Sequence, residues 1–161
     1  MDYPIKKVLL GDLDINDVFF NSFKEDYPEY EEWFFRKKND TVSVIMENNK
    51  IKGLLKLKIE NETEDYSNII PDFKPKKRLK IWSFKVSLSP QSGVGKTFLE
   101  MSLASARKNK IEEIYVTLYN KNGSKDSLIG LLEKGGFVFW GYKNKEELVY
   151  VLKVWRKCCC L

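Results

Sequence analysis

The sequence predicts an α/β (α+β) fold, one domain of about seven strands and about four helices. Three observations carry that prediction. Short runs of branched and aromatic residues recur at strand length, as in Thr41-Val42-Ser43-Val44-Ile45-Met46 and Leu79 to Leu88. Between them lie stretches with helical apolar spacing, of which Val94 to Arg107 is the longest. At 161 residues and 43% hydrophobic content, the chain is long enough for one core and short for two ordinary domains. The domain is expected over 1–154, with 155–161 as a tail or the start of a linker.

Taken in order, Ile5 to Leu10 begins as a strand and Gly11 to Asp17 holds turn and cap residues. A helix is expected from about Asp17 through Val18-Phe19-Phe20-Asn21-Ser22-Phe23. Tyr27-Pro28-Glu29 interrupts it, with Pro28 suited to the first turn of a second helix whose Tyr30, Trp33 and Phe34 share one core-facing side. Asn48-Asn49 reads as a hairpin turn between the strand at Thr41 and the strand Ile51 to Ile59, whose later half alternates apolar and basic residues.

Glu60 to Arg78 reads as a long loop, acidic at Glu60, Glu62, Glu64 and Asp65 and basic at Lys74, Lys76, Lys77 and Arg78. It is either a solvated connection or a segment whose acidic end helps hold a cationic acceptor. Leu79 to Leu88 is the clearest central strand. Trp82, Phe84, Val86 and Leu88 lie on one face and Leu79, Ile81, Ser83, Lys85 and Ser87 on the other, which turns polar halfway. Such a strand suits a sheet that opens at its C-terminal end for a ligand.

The helix Val94 to Arg107 follows, then a strand over Ile111 to Tyr119. Ser124 can cap a helix carrying Leu128, Leu131 and Leu132, and Gly135 suits its C-terminal turn. The strands Phe137 to Tyr142 and Glu147 to Val154 close a hairpin around Lys143-Asn144-Lys145.

Composition excludes several chemistries. There is no histidine, and the three cysteines are consecutive at Cys158, Cys159 and Cys160. Histidine-ligated zinc, Cys-His or Ser-His hydrolysis and an imidazole base are therefore out, and no metal is expected. Cys158-Cys159-Cys160-Leu161 formally meets a prenylation pattern, but without aliphatic middle positions it reads as an exposed tail. No apolar run is long enough for a bilayer and the N-terminus lacks a secretory pattern, so no membrane role and a cytoplasmic location are expected. The net charge of +5 is spread along the chain, a poor footprint for nucleic acid but compatible with a small polyanion.

One stretch carries specific chemistry. A strand runs into a glycine turn, Gly93-Val94-Gly95, and then into a helix that begins with Lys96 and Thr97. Glycines allow close backbone approach, the first helical N–H groups lack internal partners and the helix dipole is positive there, so a diphosphate fits. The plain alternative is a glycine turn that only starts a helix. Gly95-Lys96-Thr97 also matches the end of a Walker A loop, but Pro90 stands at its first glycine position and the next strand has no aspartate for magnesium.

The stretch Pro90-Gln91-Ser92-Gly93-Val94-Gly95 resembles the Q/R-x-x-G-x-G/A signature of the GNAT acetyltransferase superfamily. The likeness continues through Ile111-Glu112-Glu113-Ile114-Tyr115-Val116 and Leu131-Leu132-Glu133-Lys134-Gly135-Gly136-Phe137. It covers residues 79–154 well. It implies a mixed, mostly antiparallel sheet and acetyl-CoA as acyl donor. The pantetheine arm would pair with the backbone of Phe84, Lys85 and Val86, and the diphosphate would lie on Gln91, Ser92, Gly93, Val94, Gly95, Lys96 and Thr97.

The acceptor would be a primary amine, on a small molecule or a protein, attacking directly in a ternary complex. Homodimerisation through edge strands is left open. Two positions depart from the pattern. Pro90 replaces the first arginine or glutamine, and Leu132 stands where many members carry the tyrosine that protonates the CoA thiolate. Tyr119 and Ser127 are the hydroxyls offered for that role, with solvent as the alternative. Acidic residues of the N-terminal helices and of Glu60 to Asp65 are candidate bases by class alone. A catalytically impaired acyl-CoA-binding or interaction module is the second reading, and a P-loop nucleotide binder the third.

Overall fold

The computed structural model describes residues 3–154. Its eight strands are β1 (Lys6–Leu9), β2 (Thr41–Glu47), β3 (Lys50–Glu60), β4 (Ile69–Ile70), β5 (Arg78–Val86), β6 (Glu113–Leu118), β7 (Val138–Lys143) and β8 (Glu147–Lys153). The four helices are α1 (Asn21–Asp26), α2 (Tyr30–Arg36), α3 (Val94–Lys108) and α4 (Asp126–Lys134). The strands form one sheet in the order β1-β2-β3-β5-β6-β8-β7-β4. β5 and β6 pair in parallel, whereas β1–β2, β2–β3, β4–β7, β6–β8 and β7–β8 are antiparallel. The Cys158–Cys160 tail lies outside the described residues.

The chain divides into two compact units. One takes the chain up to Lys56 together with Ser83–Gly95, and its core joins Leu10, Phe19, Phe20, Tyr30, Phe34, Val42, Val44, Ile51 and Leu54. Asp17 organises this unit locally. One carboxylate oxygen caps the 3-10 turn Val18–Phe20 by accepting from the Phe19 N–H at 2.9 Å, and the other accepts from the Ile51 N–H at 3.0 Å. Asn48 and Asn49 both take left-handed φ, 52° and 61°, the geometry that a two-residue hairpin between twisted strands requires. Pro28 lies before α2 and not in its first turn: the Tyr30 N–H bonds the Tyr27 carbonyl, and Pro28 sits inside that turn, where its fixed φ fits.

The other unit takes Leu57–Trp82 and the chain from Lys96 onward, with Tyr66, Ile69, Phe73, Tyr115, Val149 and Val151 in a core cluster. Here several expectations are corrected. The segment read as a long loop begins only after Glu60, which is the buried last residue of β3. It also contains the two-residue strand β4, paired with Lys143 and Tyr142 of β7, and this raises the strand count to eight. It is pinned at three points, because Tyr66, Ile69 and Phe73 are buried, while most of its other residues are exposed. Ser124 does not cap α4. Lys125 precedes the helix, and its N–H is taken up by the Asn120 side chain at 2.8 Å. At the other end Gly135 keeps right-handed φ, and Gly136, at φ 98°, makes the reversal.

Among the described residues, no helix is long and apolar enough to cross a membrane.

Candidate active site

β5 reaches Val86 with both faces at least half-buried, and its parallel ladder with β6 runs from Leu79–Ile114 to Ile81–Val116. Beyond β5, Pro90–Ser92 forms a 3-10 turn that ends in Gly93, at φ 74° and ψ 2°. This is left-handed backbone, and a side chain at Gly93 would meet nothing within 4 Å, so conformation and not space selects glycine here. α3 then starts at Val94, whose N–H faces the Ser92 hydroxyl at 3.4 Å.

Val94, Phe98 and Leu99 are buried and anchor the inward side of α3, while Lys96 and Thr97 are exposed. Gln91 is exposed and Ser92 and Gly95 are half-buried. The first turn of α3 thus carries its helix-end N–H groups with a lysine and a threonine outside them, the chemistry that receives an anion. An apolar cavity of about 280 Å³ begins at Lys96 and runs between α3 and α4, past Leu99, Leu103 and Leu131 to Phe137 and Leu152.

Phe84, Lys85 and Val86 are half-buried on β5. The Lys85 ammonium is committed elsewhere, donating to the Phe19 carbonyl at 2.5 Å and the Ser22 hydroxyl at 2.8 Å. What this residue can offer a ligand is therefore its backbone.

Tyr119 and Ser127 flank the connection from β6 to α4. Asn120 clamps that connection, accepting from the Lys125 N–H and donating to the Asp126 carboxylate at 3.0 Å. Tyr119 is half-buried with the Lys121 ammonium 5.3 Å from its ring, and Ser127 is exposed in the first turn of α4. Leu132 is fully buried and supplies packing only.

A polar cluster inside the second unit escaped the sequence reading. Glu60 accepts from the hydroxyls of Tyr66, at 3.1 Å, and Tyr115, and lies 3.5 Å from the Lys58 ammonium. Burial, with Glu60 next, pushes the Tyr66 phenol up to about 12 and raises that of Tyr115 further. Lys80, on β5, has its ammonium 4.1 Å from the centre of the Trp82 ring. Burial lowers its pKa to about 8, with the positive charge of Lys143 as the next cause. Thr117 donates to the buried Glu147 carboxylate at 3.3 Å. The available signal was a lysine inside a strand whose neighbours are apolar on both sides.

No family model matches the sequence, and no curated protein matches it either. Solved structures do. Ard1 from Thermoplasma volcanium aligns with a TM-score of 0.64 at 14% identity over 97% of this chain and 100% of its own. A protein from Desulfovibrio desulfuricans, provisionally assigned as a GNAT-family acetyltransferase, aligns with a TM-score of 0.63 at 12% identity over 96% and 100%. The Bacillus subtilis N-acetyltransferase YlbP, solved with coenzyme A, aligns with a TM-score of 0.56 at 17% identity over 94% and 97%. At these identities the likeness is one of architecture. The chain has the GNAT acyltransferase fold, with one mostly antiparallel eight-stranded sheet and four helices.

Proposed function

We propose that this protein is an N-acetyltransferase that moves the acetyl group of acetyl-CoA to a primary amine by direct attack in a ternary complex. The observation that carries the reading is the left-handed turn at Gly93, which opens α3 immediately after β5 in a GNAT fold. The diphosphate sits on the backbone and side chains of Gln91, Ser92, Gly93, Val94, Gly95, Lys96 and Thr97. The pantetheine arm follows the backbone of Phe84, Lys85 and Val86, and a backbone N–H near Val86 stabilises the thioester oxyanion. The acceptor's ammonium loses a proton before its nitrogen attacks, and the departing thiolate takes one from Tyr119, Ser127 or water.

The decisive measurement is calorimetric titration with acetyl-CoA beside ATP and magnesium, repeated on Gly93→Asp. The open space around Gly93 accommodates the new side chain, and aspartate tolerates left-handed φ better than most residues. Loss of binding would then report repulsion of the diphosphate. We expect acetyl-CoA binding that weakens at least about tenfold in the variant, which corresponds to about 1.4 kcal/mol. Absence of acetyl-CoA binding to the parent protein overturns the reading, and binding of ATP in its place points to a nucleotide site.

A second reading, a CoA-binding module without catalysis, is favoured by one feature: the position at which a phenol would serve the thiolate is the fully buried Leu132. Acetyl transfer to any member of an amine panel removes it.

A further inference from the structure

The cavity of about 280 Å³ between α3 and α4 lies wholly within the second compact unit, and Lys96 is the only residue it shares with those assigned to acetyl-CoA. Its inner walls are the buried Leu99 of α3, Ile114 of β6 and Phe137, with the half-buried Leu103, Leu131 and Leu152 around them. The hydroxyl of Ser102, also in the wall, is committed to the Phe98 carbonyl at 2.9 Å. Buried water needs several polar partners and these side chains offer none, so the space favours an apolar occupant. Walls of Leu, Ile and Phe keep even a cavity of about 150 Å³ dry and able to bind benzene.

Gly135 keeps the space open. Its φ of −77° is ordinary right-handed backbone, so conformation does not call for glycine. A Cβ there would lie 3.0 Å from Leu99 Cδ1, and any side chain would crowd the wall that Leu99 forms.

The mouth carries charge. Lys96, Glu100 and Lys134 line the cavity and are exposed. Among the described residues neither ammonium has an ion-pair partner, although Glu100 stands one turn beyond Lys96 on α3. Two lysines and one glutamate leave one net positive charge at the opening of an apolar space. That combination matches a ligand with a single anionic head and an aliphatic body. At about 30 Å³ for a water-sized group, the volume holds about nine such groups, the size of a medium alkyl chain.

We propose that this cavity is a second ligand site, which takes a medium-chain aliphatic carboxylate with its chain inward against Leu99, Leu103 and Phe137 and its head at Lys96 and Lys134. The driving force is removal of the chain from water, about fourfold in affinity for each buried methylene. The rim ammonium groups add orientation and modest affinity, because exposed ion pairs are screened. Binding needs no acetyl-CoA, so failure here leaves the acetyltransferase reading untouched, and the converse holds.

The test titrates the full chain calorimetrically with decanoate, below its micelle-forming concentration and without acetyl-CoA, beside butyrate and decanol. Lys134→Gln removes one charge at an exposed position, and Leu103→Trp fills the space. We expect decanoate to bind saturably at a single site, at least about a hundredfold tighter than butyrate. Lys134→Gln should weaken decanoate about threefold to fivefold and leave decanol unchanged. Leu103→Trp, shown to be folded by its thermal transition, should weaken both ligands at least about tenfold. Absence of saturable decanoate binding overturns the proposal, as does binding that both variants leave intact. If Leu103→Trp does not fold, Lys134→Gln decides alone: equal loss of decanoate and decanol, or loss of neither, overturns it.

Discussion

The two compact units pack aromatic rings in similar geometry around different contents. In the first, Phe20 is fully buried and meets Phe19, Phe23, Tyr30 and Phe34 at ring-centre distances of 5.5 to 6.4 Å. In the second, Phe73 meets Tyr66, Tyr115 and Trp140 at 5.1 to 5.4 Å, but its ring also carries the Arg78 guanidinium 3.6 Å from its centre. Arg78 is in turn bonded to the buried Glu113, which also pairs with Lys76. Tyr66 and Tyr115 both donate to Glu60. The first cluster holds a cation at its side, the Lys85 ammonium 4.7 Å from the centre of the Phe19 ring, while the second also buries the carboxylates of Glu60 and Glu113 and uses its rings as the walls of a low-dielectric space.

The comparison can be broken most severely at Phe20. Phe20→Ala removes a fully buried ring from the first cluster and should lower stability by about 4 kcal/mol, read as a fall in the denaturant midpoint at unchanged slope. A loss below about 1 kcal/mol would mean that this core is not the close-packed body described here.

The second cluster is tested through pH. The Lys80 pKa is depressed on folding, so between about 8 and 10.5 the unfolded chain binds more protons than the native one, and stability rises with pH across that window. Below about pH 8 the full cost of the buried charge is present. Lys80→Met removes this dependence, so the variant's advantage should shrink by on the order of 2 kcal/mol between about pH 7 and pH 10. Tyr66 and Tyr115, whose pKa values are raised, act in the opposite direction above about pH 10, and the difference between the two proteins cancels them. A difference independent of pH would show that Lys80 titrates like a surface lysine.

The smallest effect compares the hairpin turns. Asn48-Asn49 and Asn144-Lys145 all have positive φ, but lysine tolerates that conformation less well than asparagine. Lys145→Gly should therefore stabilise by up to about 1 kcal/mol, and Asn49→Gly by about half as much or less. The ordering of the two thermal midpoints checks it.

Much of this molecule could be read from local pattern, because local pattern sets its cause. Branched runs became β2, β5 and β6, and the Asn48-Asn49 pair became a left-handed hairpin. The absence of histidine by itself bounded the chemistry. What local pattern could not supply was the company kept by polar side chains. Glu60 sat at the edge of an acidic stretch and Lys80 in a strand, and nothing within a few residues of either says that Tyr66, Tyr115, Glu147 and Lys143 surround them. Those partners come from strands and a loop distant in sequence. Desolvation and Coulomb energy depend on distance in space, so the folded sheet alone could turn an ordinary lysine into one poised near pH 8.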